Sequence, residues 1–200
     1  MDGYPTCNTI AAVALPWRLL GLCGFTAAAA CSGSGHARRL PAAVVHAARL
    51  EASGAHGDGS EWVEHSLHGA GLRFGTDGSA RALWGYMRAS HELVAAGAAR
   101  PGDVVFFDVW GTAPEPSCRD RVDHAGIVES IDADGRIGFL ERRGGRVLHS
   151  FVDPDRPTAR RDDRGRILNS FLRPKLIAEP PGARHFAGEM ICGVARVLHR

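Results

Sequence analysis

Residues 100–107 read Arg-Pro-Gly-Asp-Val-Val-Phe-Phe, a turn signal followed by a continuous apolar run. Four apolar residues after Pro-Gly predict a short strand buried on both faces. Residues 124–141 read HAGIVESIDADGRIGFLE, in which Asp-Ala-Asp-Gly at 132–135 predicts a hairpin turn between two strands. Gly144-Gly145 predicts another turn into a strand over 147–152. The second half of the chain is therefore predicted to be a run of hairpin-linked strands.

The first half carries a different, helical pattern. Apolar residues at helical spacing predict helices over about 40–52 and 60–70, and Thr76-Asp-Gly-Ser79 offers capping residues for a third helix that runs to about residue 96. Helices followed by antiparallel strands predict an α+β domain with the helices packed on the sheet.

The charge of the chain is nearly balanced. Twenty-four basic residues minus 22 acidic ones give +2, and the arginines are spread along the chain rather than clustered. A nucleic-acid-binding protein usually has a concentrated basic face. We therefore predict no nucleic-acid partner.

The amino terminus has the composition of a secretory leader. Arg18 is followed by twelve apolar or small residues, 19–30, and then by Cys31, an order similar to the lipobox of bacterial lipoproteins. A membrane anchor over 10–30 and an ordinary buried helix are the alternatives. The prediction is an exported envelope protein, held at the membrane by a lipid on Cys31. Its parts are a signal peptide over 1–31, a tether over 32–39 and one domain over 40–200.

The five cysteines divide unequally between the leader and the domain. Cys7 and Cys23 would leave with the leader and Cys31 would carry the lipid, which leaves Cys118 and Cys192. In an oxidising envelope these two could form a disulfide, and two unrelated thiols are the alternative.

Two strings, Arg100 to Phe107 and Asp123-His-Ala-Gly-Ile-Val128, resemble the core of the CHAP and NlpC/P60 domains. These are papain-like cysteine hydrolases that cut peptide or amide bonds in bacterial cell walls. The resemblance implies a papain-like fold, peptidoglycan peptides or another wall hydrolase as partners, and no cofactor. It also implies His124 as the base and Glu141 as the residue that orients it.

Both residues have plainer interpretations. His124 could be a core histidine at the start of an apolar strand, and Glu141, which precedes two arginines, could be a surface salt-bridge partner. The functional interpretation requires the Glu141 carboxylate to lie within hydrogen-bond reach of the His124 ring.

The nucleophile of the family is missing from the matching stretch. In relatives this stretch reads Asp-Cys-Ser, whereas residues 58–63 here read Asp-Gly-Ser-Glu-Trp-Val, so Gly59 occupies the cysteine position. Ser60 is adjacent, but one helical step turns its side chain by about 100°. Cys118 lies six residues before His124, in a loop without a helix dipole behind it.

Three functional hypotheses follow. The first is a degenerate hydrolase that binds wall peptides or regulates a true hydrolase. The second is a working amidase or endopeptidase that uses Ser60 or Cys118 with His124. The third is a purely structural envelope lipoprotein, favoured if a bulky side chain such as Trp62 fills the groove above His124. No metal site is predicted, because His65 and His68 lack the glutamate and spacing of the zinc peptidase helices.

Overall fold

The computed structural model describes residues 33–50, 59–72, 77–90, 92–111, 116, 118–175, 178–179 and 182–197. The helices are α1 (Gly33–Leu50), α2 (Gly59–Gly69), α3 (Ala80–Ala89) and the one-turn α4 (Ala187–Met190). The strands are β1 (Leu93–Val94), β2 (Val104–Phe107), β3 (His124–Ile131), β4 (Ile137–Arg143), β5 (Arg146–Val152) and β6 (Ile191–Ala195). The predicted signal peptide and Cys31 lie outside the described residues.

The strands form one antiparallel sheet in the order β1-β6-β2-β3-β4-β5. The α+β class is confirmed, and so are the four strands predicted between residues 104 and 152. The turn at 132–135 pairs Asp132 with Arg136 through a backbone hydrogen bond of 2.9 Å. The sequence pattern did not predict that the last strand, β6, inserts between β1 and β2, because nothing local specifies that long-range pairing.

Strand β2 is buried on both faces, as its four apolar residues predict. Val104 and Phe106 pack with α1, α2 and α3, whereas Val105 and Phe107 pack with α4 and Leu172 on the opposite face. This alternation follows from the two-residue period of a strand. Two separate apolar clusters therefore hold the centre of the sheet in place.

The first and third helices differ in extent from their predictions. Residues 33–39, predicted as a tether, form the first part of α1, in which Ala37, Arg38 and Arg39 favour a helix and Gly33 and Gly35 do not. Helix α3 begins after the predicted cap, where the Ser79 side chain accepts a hydrogen bond from the Ala82 amide, but it ends at Ala89 rather than near 96. The chain leaves the helix there because the next residues form β1 at the edge of the sheet.

Helix α1 packs on the turn that precedes β2. Gly102 has φ +89°, and a methyl group on it would lie 2.6 Å from the Cα of Pro41. The turn therefore requires glycine twice, for its backbone conformation and for the close approach of the helix. None of the described helices is long and apolar enough to span a bilayer.

Candidate functional site

A cleft of about 200 Å³ opens where α2 and β3 begin. Gly59 and Ser60 contribute the start of the helix, and His124 is the first residue of the strand. Trp110 and the β4–β5 turn form part of its wall. The structure thus brings the two positions singled out by the sequence, Gly59 and His124, into one cleft.

His124 and Glu141 are hydrogen-bonded across the neighbouring strands β3 and β4. Nε2 of His124 donates to Oε2 of Glu141 at 2.7 Å, and the Glu141 side chain is fully buried. Its other oxygen, Oε1, accepts a hydrogen bond from the Ser150 hydroxyl and lies 3.4 Å from the Arg143 guanidinium. This geometry meets the distance that the functional interpretation requires and does not fit an exposed salt bridge.

Glu141 is held in its charged form. Burial opposes ionisation, but the hydrogen bonds from His124 and Ser150 and the positive charge of Arg143 outweigh it, so the pKa of Glu141 lies below its usual value. A carboxylate that accepts from Nε2 assigns the proton of a neutral ring to that nitrogen. Nδ1 is then a lone-pair acceptor on the opposite side of the ring.

Nδ1 of His124 faces Gly59. A methyl group placed on Gly59 would lie 3.0 Å from Nδ1, 3.1 Å from Cε1 of the same ring and 3.1 Å from the carbonyl oxygen of Arg142. These distances are shorter than ordinary van der Waals contact, so the ring and strand β4 occupy part of the space that a side chain would need. The site has a base oriented toward a helix N-terminus, and the residue at that terminus carries no nucleophilic atom.

Ser60 lines the same cleft and is half-buried. Within the part of the chain that the structure describes, its hydroxyl makes no hydrogen bond to His124. An activated serine needs that contact, or a small movement that creates it.

Cys118 is joined to Cys192 by a disulfide, with the two Cα atoms 5.1 Å apart. Its backbone carbonyl also accepts a hydrogen bond of 2.7 Å from the indole nitrogen of Trp84. With its sulfur in this bond, Cys118 has no thiol that could act as a nucleophile. The two cysteines left by the counting argument are thus the two that the structure pairs.

Sequence reasoning missed Asp123 as an anchor for the cleft wall. Its carboxylate accepts hydrogen bonds from the backbone amides of Val109 at 2.8 Å and Trp110 at 2.9 Å. It therefore fixes the segment after β2 next to His124. The Asp-His dipeptide placed this residue beside the base, but no local pattern identifies which amides it binds.

Trp62 does not reach the cleft. It packs in the core beneath the helices, 1% exposed, and is not among the residues that line the cleft. Trp62 therefore does not fill the cleft above His124, which would have favoured the structural-lipoprotein hypothesis. Among the described residues, no three histidine, cysteine, aspartate or glutamate side chains are grouped so that they could hold a metal ion.

Comparison with known proteins adds no relative. No protein-family model matches the chain, and no curated protein or solved structure matches it.

The pKa of Glu141 leads to a prediction about stability. Because folding lowers this pKa, the carboxylate contributes stability above the unfolded value, near pH 4.3, and that contribution is lost as the pH falls through the lower folded value. We expect Glu141→Gln to unfold about 2 kcal/mol more easily at pH 7 and to approach the unsubstituted protein below about pH 4. Urea unfolding at a series of pH values measures this difference.

The exposed Glu61 on α2 provides the matched control, since Glu61→Gln changes the same charge at the surface. Because Glu61 lies in the first turn of α2, where a negative charge contributes about 0.3–1 kcal/mol, we expect this variant to lose clearly less stability at pH 7 than Glu141→Gln. A pH-independent cost for Glu141→Gln would mean that shape, and not charge, is what the site needs from Glu141.

Proposed function

We propose that this chain is an exported, lipid-anchored protein of the bacterial cell envelope with a papain-like domain of the CHAP or NlpC/P60 kind. Within that family it is a degenerate member that binds cell-wall material or regulates a true hydrolase. The observation that carries the proposal is the position of Nδ1 of His124, 3.0 Å from where a β-carbon on Gly59 would lie at the start of α2.

The arrangement supports a hydrolase ancestor. A thiolate at a helix N-terminus beside an imidazole is a favourable environment for a low thiol pKa. Gly59 occupies that position, and Glu141 holds the ring of His124 with one nitrogen directed at it. In an active relative the thiolate would attack the scissile carbonyl and the histidine would protonate the leaving amine. Here the base and its partner are present, and the attacking atom is replaced by hydrogen.

The proposed location in the cell envelope is supported by the disulfide. The disulfide between Cys118 and Cys192 fits an oxidising environment, which the periplasm and the bacterial surface provide. The proposed leader and Cys31 lie outside the described residues, so the lipid anchor depends on the sequence pattern.

We expect the purified chain to release no soluble fragments from peptidoglycan sacculi and to sediment with them. Chromatography of the supernatant and a gel of the pellet measure the two outcomes. His124→Ala serves as the control, and it should change neither the supernatant nor the folded content. Fragments that disappear in this variant would overturn the degenerate-hydrolase proposal.

The alternative function is an active amidase or endopeptidase with Ser60 as the nucleophile. It is favoured only by the position of Ser60 in the same cleft as His124. The sacculus experiment separates the two, because Ser60→Ala would abolish fragment release from an active enzyme, whereas a binding protein releases no fragments with or without the Ser60 hydroxyl.

A further inference from the structure

We infer that the cleft binds a single sugar ring, which stacks on the indole of Trp110. The inference deepens the proposed wall-binding function and rests on it for the source of the sugar, the glycan strands of the wall. It assigns recognition to a residue outside the His124–Glu141 pair.

Trp110 is the largest exposed apolar side chain at the cleft. It lines the opening and is 62% exposed, whereas Trp62 and Trp84 are buried in the core. An exposed tryptophan at the mouth of a cleft with polar walls is a feature of ligand-binding sites. The flat apolar face of an indole suits the C–H face of a pyranose ring.

The backbone that carries this indole is anchored on both sides. The Asp123 carboxylate accepts a hydrogen bond from the Trp110 amide. The next residue, Gly111, is buried against the ion pair of Asp108 and Arg184, which are 3.0 Å apart, and a side chain on it would collide with the Asp108 carboxylate. The anchored backbone reduces the ordering that binding would otherwise cost.

The indole is also held by a cation. The Arg173 guanidinium lies over the ring, 5.8 Å from its centroid, and Arg173 is itself 93% buried, since only 7% of its surface is exposed. Such a contact restrains the ring while most of its surface stays open to solvent. Trp110 is thus a restrained platform.

The size and lining of the cleft favour one polar ring. About 200 Å³ is below the usual 300–1,000 Å³ of pockets for drug-sized ligands. Ser60, Asp123 and His124 line the same space and supply hydrogen-bond donors and acceptors for hydroxyl groups. A ring with one apolar face and polar edges fits both the platform and these walls.

An extended peptide would find no unpaired strand at this cleft to which its backbone could hydrogen-bond. Extended peptides commonly add to an exposed sheet edge. Strands β3 and β4, which contribute His124 and the turn at the cleft, are each paired on both sides, and the sheet edges are β1 and β5. Recognition through backbone pairing is therefore not offered by the strands at this cleft.

The test is an NMR titration of the full chain, labelled with ¹⁵N, with the trisaccharide of N-acetylglucosamine. Acetyl-Ala-Ala serves as the peptide probe. We expect saturable shifts of the Trp110 indole N–H with the sugar. Trp110→Ala should weaken affinity by roughly tenfold, which corresponds to about 1.4 kcal/mol, and Trp110→Phe by about threefold, because a smaller aromatic face remains.

Leu93→Ala is the matched control, since Leu93 is an exposed apolar residue on β1, outside the lining of the cleft, and should leave affinity unchanged. Equal sugar affinity in Trp110→Ala, no saturable sugar binding, or binding of the peptide alone would each overturn the inference. If the chain sediments with sacculi but ignores the trisaccharide, the inference fails and the wall-binding proposal stands. Trisaccharide binding without sacculus binding supports the inference and removes the wall-binding proposal.

Discussion

Gly59→Cys is expected to create a thiol that iodoacetamide alkylates rapidly at neutral pH. The new sulfur would stand at the N-terminus of α2 and beside Nδ1 of His124. Both features stabilise a thiolate, and such sites lower the thiol pKa from about 8.5 to 7.5 or less. We expect alkylation at pH 7 to be roughly tenfold faster than for an ordinary surface cysteine. Mass spectrometry of the peptide that contains residue 59 measures the rate separately from the native cysteines.

Two comparisons make this result specific. Ser60→Cys places a thiol one residue further along the same helix, where it stays near the helix N-terminus but is turned by about 100° from the direction of the His124 ring, so it should react more slowly than Gly59→Cys. Adding His124→Ala to Gly59→Cys should remove most of the acceleration. If the double variant reacts as fast as Gly59→Cys, the imidazole does not face residue 59 and the proposed alignment with the family is wrong.

The same substitution should have a stability cost. A β-carbon at position 59 would lie 3.0 Å from the His124 ring and 3.1 Å from the Arg142 carbonyl oxygen. The ring can move, whereas the backbone of β4 is held on both sides by its neighbouring strands. Overpacking of this kind typically costs about 1–3 kcal/mol. The glycine therefore suits the present packing of the His124 ring and β4 against the start of α2.

The half of the sheet formed by β3, β4 and β5 could be predicted from the sequence because its strands pair with their neighbours in the chain. Strands β3, β4 and β5 are joined by tight turns whose residues, such as Asp132 to Gly135, specify hairpins. A hairpin also brings residues distant in sequence onto adjacent strands. The hairpin of β3 and β4 thus places His124 and Glu141 on adjacent strands, although their pairing was expected from the resemblance and not from the turn.

The remainder of the site depends on contacts that no local pattern encodes. Ser150 reaches Glu141 from the third strand of the meander, and Asp123 binds amides 13 and 14 residues earlier in the chain. The place of Trp110 at the cleft also follows from no local pattern, since its backbone amide is bound by Asp123 and the next residue, Gly111, is packed against Asp108 and Arg184. The position of β6 depends in the same way on distant pairing with β1 and β2.

Reduction of the Cys118–Cys192 disulfide is expected to lower the free energy of unfolding by about 4 kcal/mol. The bond joins residues separated by 74 positions, and in the loop-entropy model a closed loop of this length restricts the unfolded chain by about that amount. The free energy of unfolding of a domain of this size is about 5–15 kcal/mol in total, so this loss would be a large fraction of it. Urea unfolding with and without a reductant, and of the double variant Cys118→Ser/Cys192→Ser, measures the difference.

Removal of the disulfide should lower stability mainly by giving the unfolded chain more freedom, and it should leave the cleft largely in place. The segment that contains Cys118 is also held by the indole of Trp84, which donates to the Cys118 carbonyl, and Asp123 fixes the start of the connection through Val109 and Trp110. We therefore expect the double serine variant to keep its native fold and the Trp110 indole N–H signal at its original chemical shift, while its urea midpoint falls. An unchanged midpoint would mean that the two sulfurs are not bonded in solution. A lower midpoint with a shifted indole signal would show that the disulfide also positions the cleft wall, because Asp123 and Trp84 alone then fail to hold it.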